Sequence, residues 1–182
     1  LTWHALETKS AVMGGRRVFW LDDDMMISMR YARHIAAGHG AVWNIGGPRV
    51  EGYTNWLWML AMVPPHWLLA PEQVAAAMIA LNALLLVGVL AAVWRLAGLM
   101  GLPAWGRVMA TAMVAGNRWV FYWTEGGAEV TPLAFLLLGA AVAYLRADRR
   151  RPLGWGTGCL LGLAALTRAD APVPVGVMVL VW

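Results

Sequence analysis

Apolar and polar positions divide this chain into two unlike parts. From residue 73 onward, long apolar runs alternate with short charged breaks. Residues 73–97 carry one charge, Arg95, while residues 130–145, 152–167 and 171–182 carry none. Segments of about 17–25 apolar residues are long enough to cross a bilayer. The pattern predicts transmembrane helices at about 73–96, 107–124, 130–146 and 152–168, with the start of another at 172–182. Residues 1–21 carry Glu7, Lys9, Arg16 and Arg17 and form neither a span nor a signal peptide.

Residues 22–72 are more mixed and predict an outer loop with helical parts. Asp24 is placed to cap a helix over Met25–Ala37 that Gly38 or Gly40 ends. Met25, Met29, Ala32 and Ala36 share one face at a spacing of three or four, and Arg30, Arg33 and His34 share another. This predicts an amphipathic helix on a membrane surface. Residues 54–70 are apolar and hold Trp56, Trp58 and Trp67, but Pro64–Pro65 would break a helix there. The segment is read as interfacial or re-entrant. The fold class expected is all-α: a polytopic transmembrane helical bundle with an amphipathic helix in its first outer loop.

Basic loops set the direction, because short arginine-rich loops stay cytoplasmic. Arg146, Arg149, Arg150 and Arg151 place their loop inside. Counting spans from it puts Asp22, Asp23, Asp24, Glu51, Glu72, Glu125, Glu129 and Asp170 on the outer face. Composition agrees: the 182 residues are 60% hydrophobic and 13% charged, where a soluble domain has about 45–50% and about 25%. That excludes a water-soluble enzyme. The net charge of +4 is carried in short loops, so no nucleic-acid partner is expected. One cysteine, Cys159, permits no disulfide framework. Twelve tryptophans fit either membrane interfaces or sugar stacking. The chain opens with Leu1 and stops inside an apolar run, and is read as part of a larger polytopic protein.

Asp22-Asp23-Asp24 is the sharpest chemical feature. Adjacent carboxylates repel one another, and such a group acts as a base, grips a hydroxyl or cation, or is only an N-cap with solvated charges. Arg30 and Arg33 either bind an anion or pair with these aspartates. Arg118 lies within the 107–124 run, where charge is costly and either faces a protein interior or a wet cavity or snorkels toward the outer headgroups. Glu125 lies two turns on and is its candidate partner, as Asp170 is for Arg168. His34, His39 and His66 have no metal-ligand spacing, so no metal site is assigned. A divalent cation is possible as a cofactor but not required.

Four blocks carry a resemblance: Phe19 to His34, Gly38 to Asn44 with Arg49 to Trp58, Thr124 to Pro132, and Leu166 to Asp170. In this order they resemble polyprenyl-phosphate-sugar-dependent glycosyltransferases of the GT-C class, above all terminal arabinofuranosyltransferases of the cell wall. The resemblance implies catalytic carboxylates at Asp23 and Asp24. It implies substrate contacts at Arg30, Tyr31, Glu51, Tyr53, Glu129, Arg168 and Asp170; Asp22, an extra acid before the pair, and Arg118, a cation near the outer end of its span, are added as contacts by their position. Ala128 and Ala171 depart from the pattern, which has Leu and Gly there. The expected function is inverting transfer of a sugar from a polyprenyl-phosphate donor to a glycan or lipid acceptor hydroxyl, at the extracytoplasmic face of a multi-pass cell-membrane protein. A non-enzymatic transporter or flippase of lipid-linked sugars is the alternative.

Overall fold

A computed structural model describes residues 7–147 and 154–181. Arg149, Arg150 and Arg151 of the basic loop, residues 1–6, the first positions of the 152–168 span and Trp182 lie outside these residues. An antiparallel hairpin forms near the start of the described residues, so the class is mostly helical rather than all-α. Strand β1 (Ser10–Met13) pairs with β2 (Arg16–Phe19), with Met13 opposite Arg16. Gly14 and Gly15 both have positive φ, the conformation a two-residue hairpin turn requires.

Helix α1 runs Asp23–Ala36. Its N-cap is Asp22, not Asp24, but the Asp22 side chain makes no capping bond because it is drawn to Lys9. Gly38, with φ of 82°, closes the other end: its N–H reaches Ile35 O and that of His39 reaches His34 O. Two short helices follow, α2 (Trp56–Ala61) and α3 (Val63–Leu68), meeting at Met62. Pro64 sits in the first turn of α3, where a missing N–H costs nothing.

The apolar face of α1 is covered by protein. Met25, Tyr31 and Ala32 pack with Trp58, Met59, Met62 and Val63 against Ala75, Met78 and Ile79. The expected basic face divides. Arg33 is exposed, but His34 turns inward, and its Nδ1 lies 2.7 Å from Val42 O. Of the three tryptophans in residues 54–70, Trp58 is buried while Trp56 and Trp67 are exposed.

Helix α4 (Pro71–Leu99) has 29 residues, about 43 Å at 1.5 Å per residue. Among the described residues it is the helix long and apolar enough to cross a membrane by itself. Its first turns carry the α1–α3 layer, and the rest packs against α5 (Ala104–Ala115), α6 (Arg118–Glu125) and α7 (Val130–Arg146). The expected span 107–124 is therefore not one helix. Asn117 interrupts it, because its Oδ1 accepts from the N–H groups of Trp119 and Val120 and starts a new helix. Helices α6 and α7 pass the span criterion together but are bent by 118°. Helix α8 (Trp155–Thr167) has 13 residues, shorter than the 152–168 run suggested, and α9 (Pro172–Val181) occupies the helix start expected at 172–182.

Helix directions follow from paired contacts. Asn82 donates to Ala128 O and Gly88 abuts Phe135, so α4 and α7 run parallel. Arg107 lies beside Gly98 and Arg168 reaches Glu129, so α5 and α8 return the other way. Glu129 and Arg168 thus share one end of the array, with Asp22–Asp24 beside them, while Arg107 and Arg146 lie toward the other.

Gly88 sets the α4–α7 spacing. A Cβ there would sit 2.6 Å from the Phe135 ring. Gly88→Ala is expected to lower stability by about 1–3 kcal/mol, as overpacking does. Thermal unfolding in detergent, with Gly162→Ala in open space as the control, checks this.

Candidate functional site

The acid triplet opens α1, where successive side chains diverge by about 100°. The three carboxylates therefore do not converge. Asp22 is half-buried and held by the Lys9 ammonium, which the hairpin delivers through the bond from Trp20 N–H to Lys9 O. Asp23 and Asp24 are exposed. Among the described residues, no group of three or more His, Cys, Asp or Glu side chains is placed to hold a metal ion.

Leu21 and Asp22 rest on a turn made by the third block. The Asp22 N–H donates to Gly126 O at 3.0 Å. A Cβ on Gly126 would fall 2.0 Å from Asp22 Oδ2, and one on Gly127 would fall 2.6 Å from Leu21 Cδ2. Gly127, with φ of 77°, also closes α6: its N–H reaches Thr124 O and that of Ala128 reaches Trp123 O. Trp58 and Asn82 fix the turn from below, donating to Gly127 O and Ala128 O at 2.9 Å.

Behind the turn, a polar chain crosses four elements. Ser28 donates to Asn55 Oδ1 at 2.8 Å, and Asn55 Nδ2 lies 3.3 Å from Glu129 Oε2. Arg168 donates from Nη1 to Glu129 Oε1 at 3.0 Å and from Nε and Nη2 to both Asp170 oxygens. Glu129 is buried, and its charge is matched by Arg168. The Arg168 fork holds the Asp170 carboxyl below its ordinary range and raises the guanidinium.

Two cavities adjoin the triplet on this side. One, of about 430 Å³, is bordered by Asp22, Asp24, Tyr53, Asn55, Glu129 and Arg168. Burial, with help from Glu51, pushes the Tyr53 phenol up, so it stays a neutral donor. The other is bordered by Lys9, Asp22, Asp23 and Asp24 and walled by Trp20, Tyr122 and Trp123. Carboxylates that accept from hydroxyls, beside exposed aromatic faces, form a surface suited to a sugar.

The predicted residues thus separate. Asp22, Asp24, Tyr53, Glu129 and Arg168 meet around one cavity, with Asp170 behind and Asp23 on the neighbouring one. Four others lie apart from both. Tyr31 is buried, donates to Val50 O at 2.7 Å and packs edge-on to Tyr53. Glu51 is exposed. Arg30 stacks 4.2 Å over Trp43 on the opposite face of α1. Arg118 is exposed, because the break at Asn117 puts it in the first turn of α6. Among the described residues its guanidinium has no hydrogen bond or ion pair, with Glu125 or any other carboxylate.

Lys9, Ser28, Asn55, Trp58, Gly126, Gly127 and Trp123 build the site without having been singled out. The Gly-Gly pair between two glutamates was a local signal of a tight approach. Lys9 and Asn55 had none, because their partners lie 13 and 74 positions away.

Compared with known proteins, the chain matches no family model, no curated protein and no solved structure.

Arg168→Ala strands Glu129 with one weak donor and is expected to lower stability by about 1–3 kcal/mol. Arg168→Lys should lose less, since a point charge still serves one carboxylate. The depressed Asp170 contributes above the ordinary carboxylate range and loses its contribution as pH falls through the lowered value. The deficit of Arg168→Ala, followed by unfolding melts across pH, should therefore shrink in acid.

Proposed function

We propose that this protein is a membrane-embedded glycosyltransferase that moves a sugar from a polyprenyl-phosphate donor to an acceptor hydroxyl at the extracytoplasmic surface. One observation carries the reading. Segments near residues 22–24, 53–55, 123–130 and 168–170, far apart in the chain, converge around the acid triplet as two cavities lined by carboxylates, a neutral phenol and aromatic rings. The same four segments carry the resemblance to GT-C enzymes.

The surroundings support a membrane. Leu84, Trp105, Met113, Trp155 and Leu180 are each at least 67% exposed, an apolar exterior that lipid would cover. Arg107 and Arg146 lie toward the end of the array that has no carboxylate among the described residues. In this reading α4 to α9 form the polytopic array, the α6–α7 bend being a broken element whose backbone faces protein.

The chemistry is a single displacement. An aspartate takes the proton of the acceptor hydroxyl as its oxygen attacks the anomeric carbon, and the bond to the phosphate oxygen breaks, releasing the lipid phosphate. Asp23 and Asp24 are the candidates, because Asp22 is held by Lys9. Asn in place of the base keeps the shape and removes basicity. Turnover of a polyprenyl-phosphate sugar should fall about 10²–10⁴-fold for that variant, with the other change raising mainly KM. Normal transfer by Asp23→Asn, Asp24→Asn and the double variant would refute the assignment. A transporter would instead move lipid-linked sugar across proteoliposomes without consuming it.

Orientation has its own check. In a Cys159→Ala background, a cysteine replacing exposed Glu51 should react with an impermeant maleimide from the outer side, and one replacing exposed Arg146 only from the cytoplasmic side. The reverse pattern would overturn the topology.

A further inference from the structure

The opposite face of α1 holds a third cavity of different chemistry. Positions 23, 26, 30 and 33 follow one helical stripe, away from Met25 and Ser28 of the polar network. Arg30, Arg33 and His66 border about 430 Å³ there, over an apolar floor of Met26, Met29 and Trp43. Asp23 sits on the rim, the residue this cavity shares with the aromatic one.

Its cations are available. Arg30 is fixed by Nε on Trp43 O and Nη2 on Asn44 Oδ1, both at 2.9 Å, and a guanidinium has further donors to give. Arg33 is exposed, and no carboxylate pairs with it among the described residues. His66 is not a cation here, since burial, with Arg33 beside it, holds the imidazole below its ordinary range; its buried Nε2 has no hydrogen-bond partner, a state that an incoming acceptor would complete with a neutral donor. The other arginines expected to take an anion do not serve. Arg168 is engaged by Glu129 and Asp170, and Arg118 borders none of the three cavities.

We infer that Arg33, His66 and Arg30 form the subsite for the phosphate of a long-chain lipid phosphate ester, with the first part of its apolar chain on Met26, Met29 and Trp43. The inference rests on the transferase reading for the lipid's role. It places the donor phosphate on the opposite face of α1 from Glu129, in the cavity that shares Asp23 with the aromatic one. That carboxylate would repel an anion at the rim and keep the phosphate on the arginine side.

Calorimetric titration of the full chain in detergent with farnesyl phosphate, farnesol and inorganic phosphate tests this. Farnesyl phosphate should bind saturably, and far more tightly than the alcohol or the free anion. Arg33→Ala and His66→Gln should each weaken it by roughly tenfold or more, as loss of a charge-assisted contact does, whereas Arg118→Ala should not. Arg33 is exposed and Gln keeps a polar group at 66, and matching unfolding melts show that the variants fold. Unchanged affinity in both variants would overturn the subsite, even if sugar transfer is intact. Equal affinity for inorganic phosphate would overturn the lipid assignment. Binding that depends on Arg33 and His66 in a protein that transfers no sugar would leave the subsite standing and remove the transferase reading.

Discussion

The site depends on how closely the chain at Leu21–Asp22 approaches the turn at Gly126–Gly127. A single Cβ at either glycine would enter the volume of the facing side chain. That contact joins the start of α1 to the end of α6, and so brings the acid triplet against the helical array. Trp58 and Asn82 hold the turn by donating to its carbonyls, and Glu129 begins α7 two residues later. A change that pushed the turn away would separate Asp22 and Asp24 from Tyr53, Glu129 and Arg168 together.

The two polar systems near α1 do different work. The chain from Ser28 through Asn55 and Glu129 to Arg168 and Asp170 is closed on itself, and each charged group in it has an opposite charge or a donor. Such a network fixes geometry and has little left for a ligand. The exposed carboxylates of Asp23 and Asp24, the exposed guanidinium of Arg33 and the unpartnered Nε2 of His66 are incomplete by comparison. Groups of the incomplete kind have contacts left for a ligand, and the satisfied ones hold them in place.

Much of this was readable along the chain. Apolar runs without charge located α4, α7 and α8, and Gly38 marked the end of α1, because helix periodicity and a left-handed terminal residue are local properties. The acid triplet was also visible, as three like charges in a row. Three details were misplaced because competing local bonds decided them. Asn117 capped a new helix inside an apolar run, the cap of α1 fell on Asp22 rather than Asp24, and Val42 O turned His34 inward. A hydropathy pattern weighs none of these bonds.

Composition and order along the sequence determined that this chain is mostly helical and apolar, with its carboxylates gathered near certain helix ends. The tertiary structure decided which carboxylates act together. Diverging side chains at the start of a helix separate neighbours such as Asp23 and Asp24, while close packing at Gly126 joins residues more than 100 positions apart. It also decided that Arg168 is a clamp, that Tyr31 is a core residue, and that Arg30, Arg33 and His66 face a cavity of their own. These outcomes depend on which groups meet across the fold to satisfy buried charge and donors, and no single stretch of sequence contains both partners.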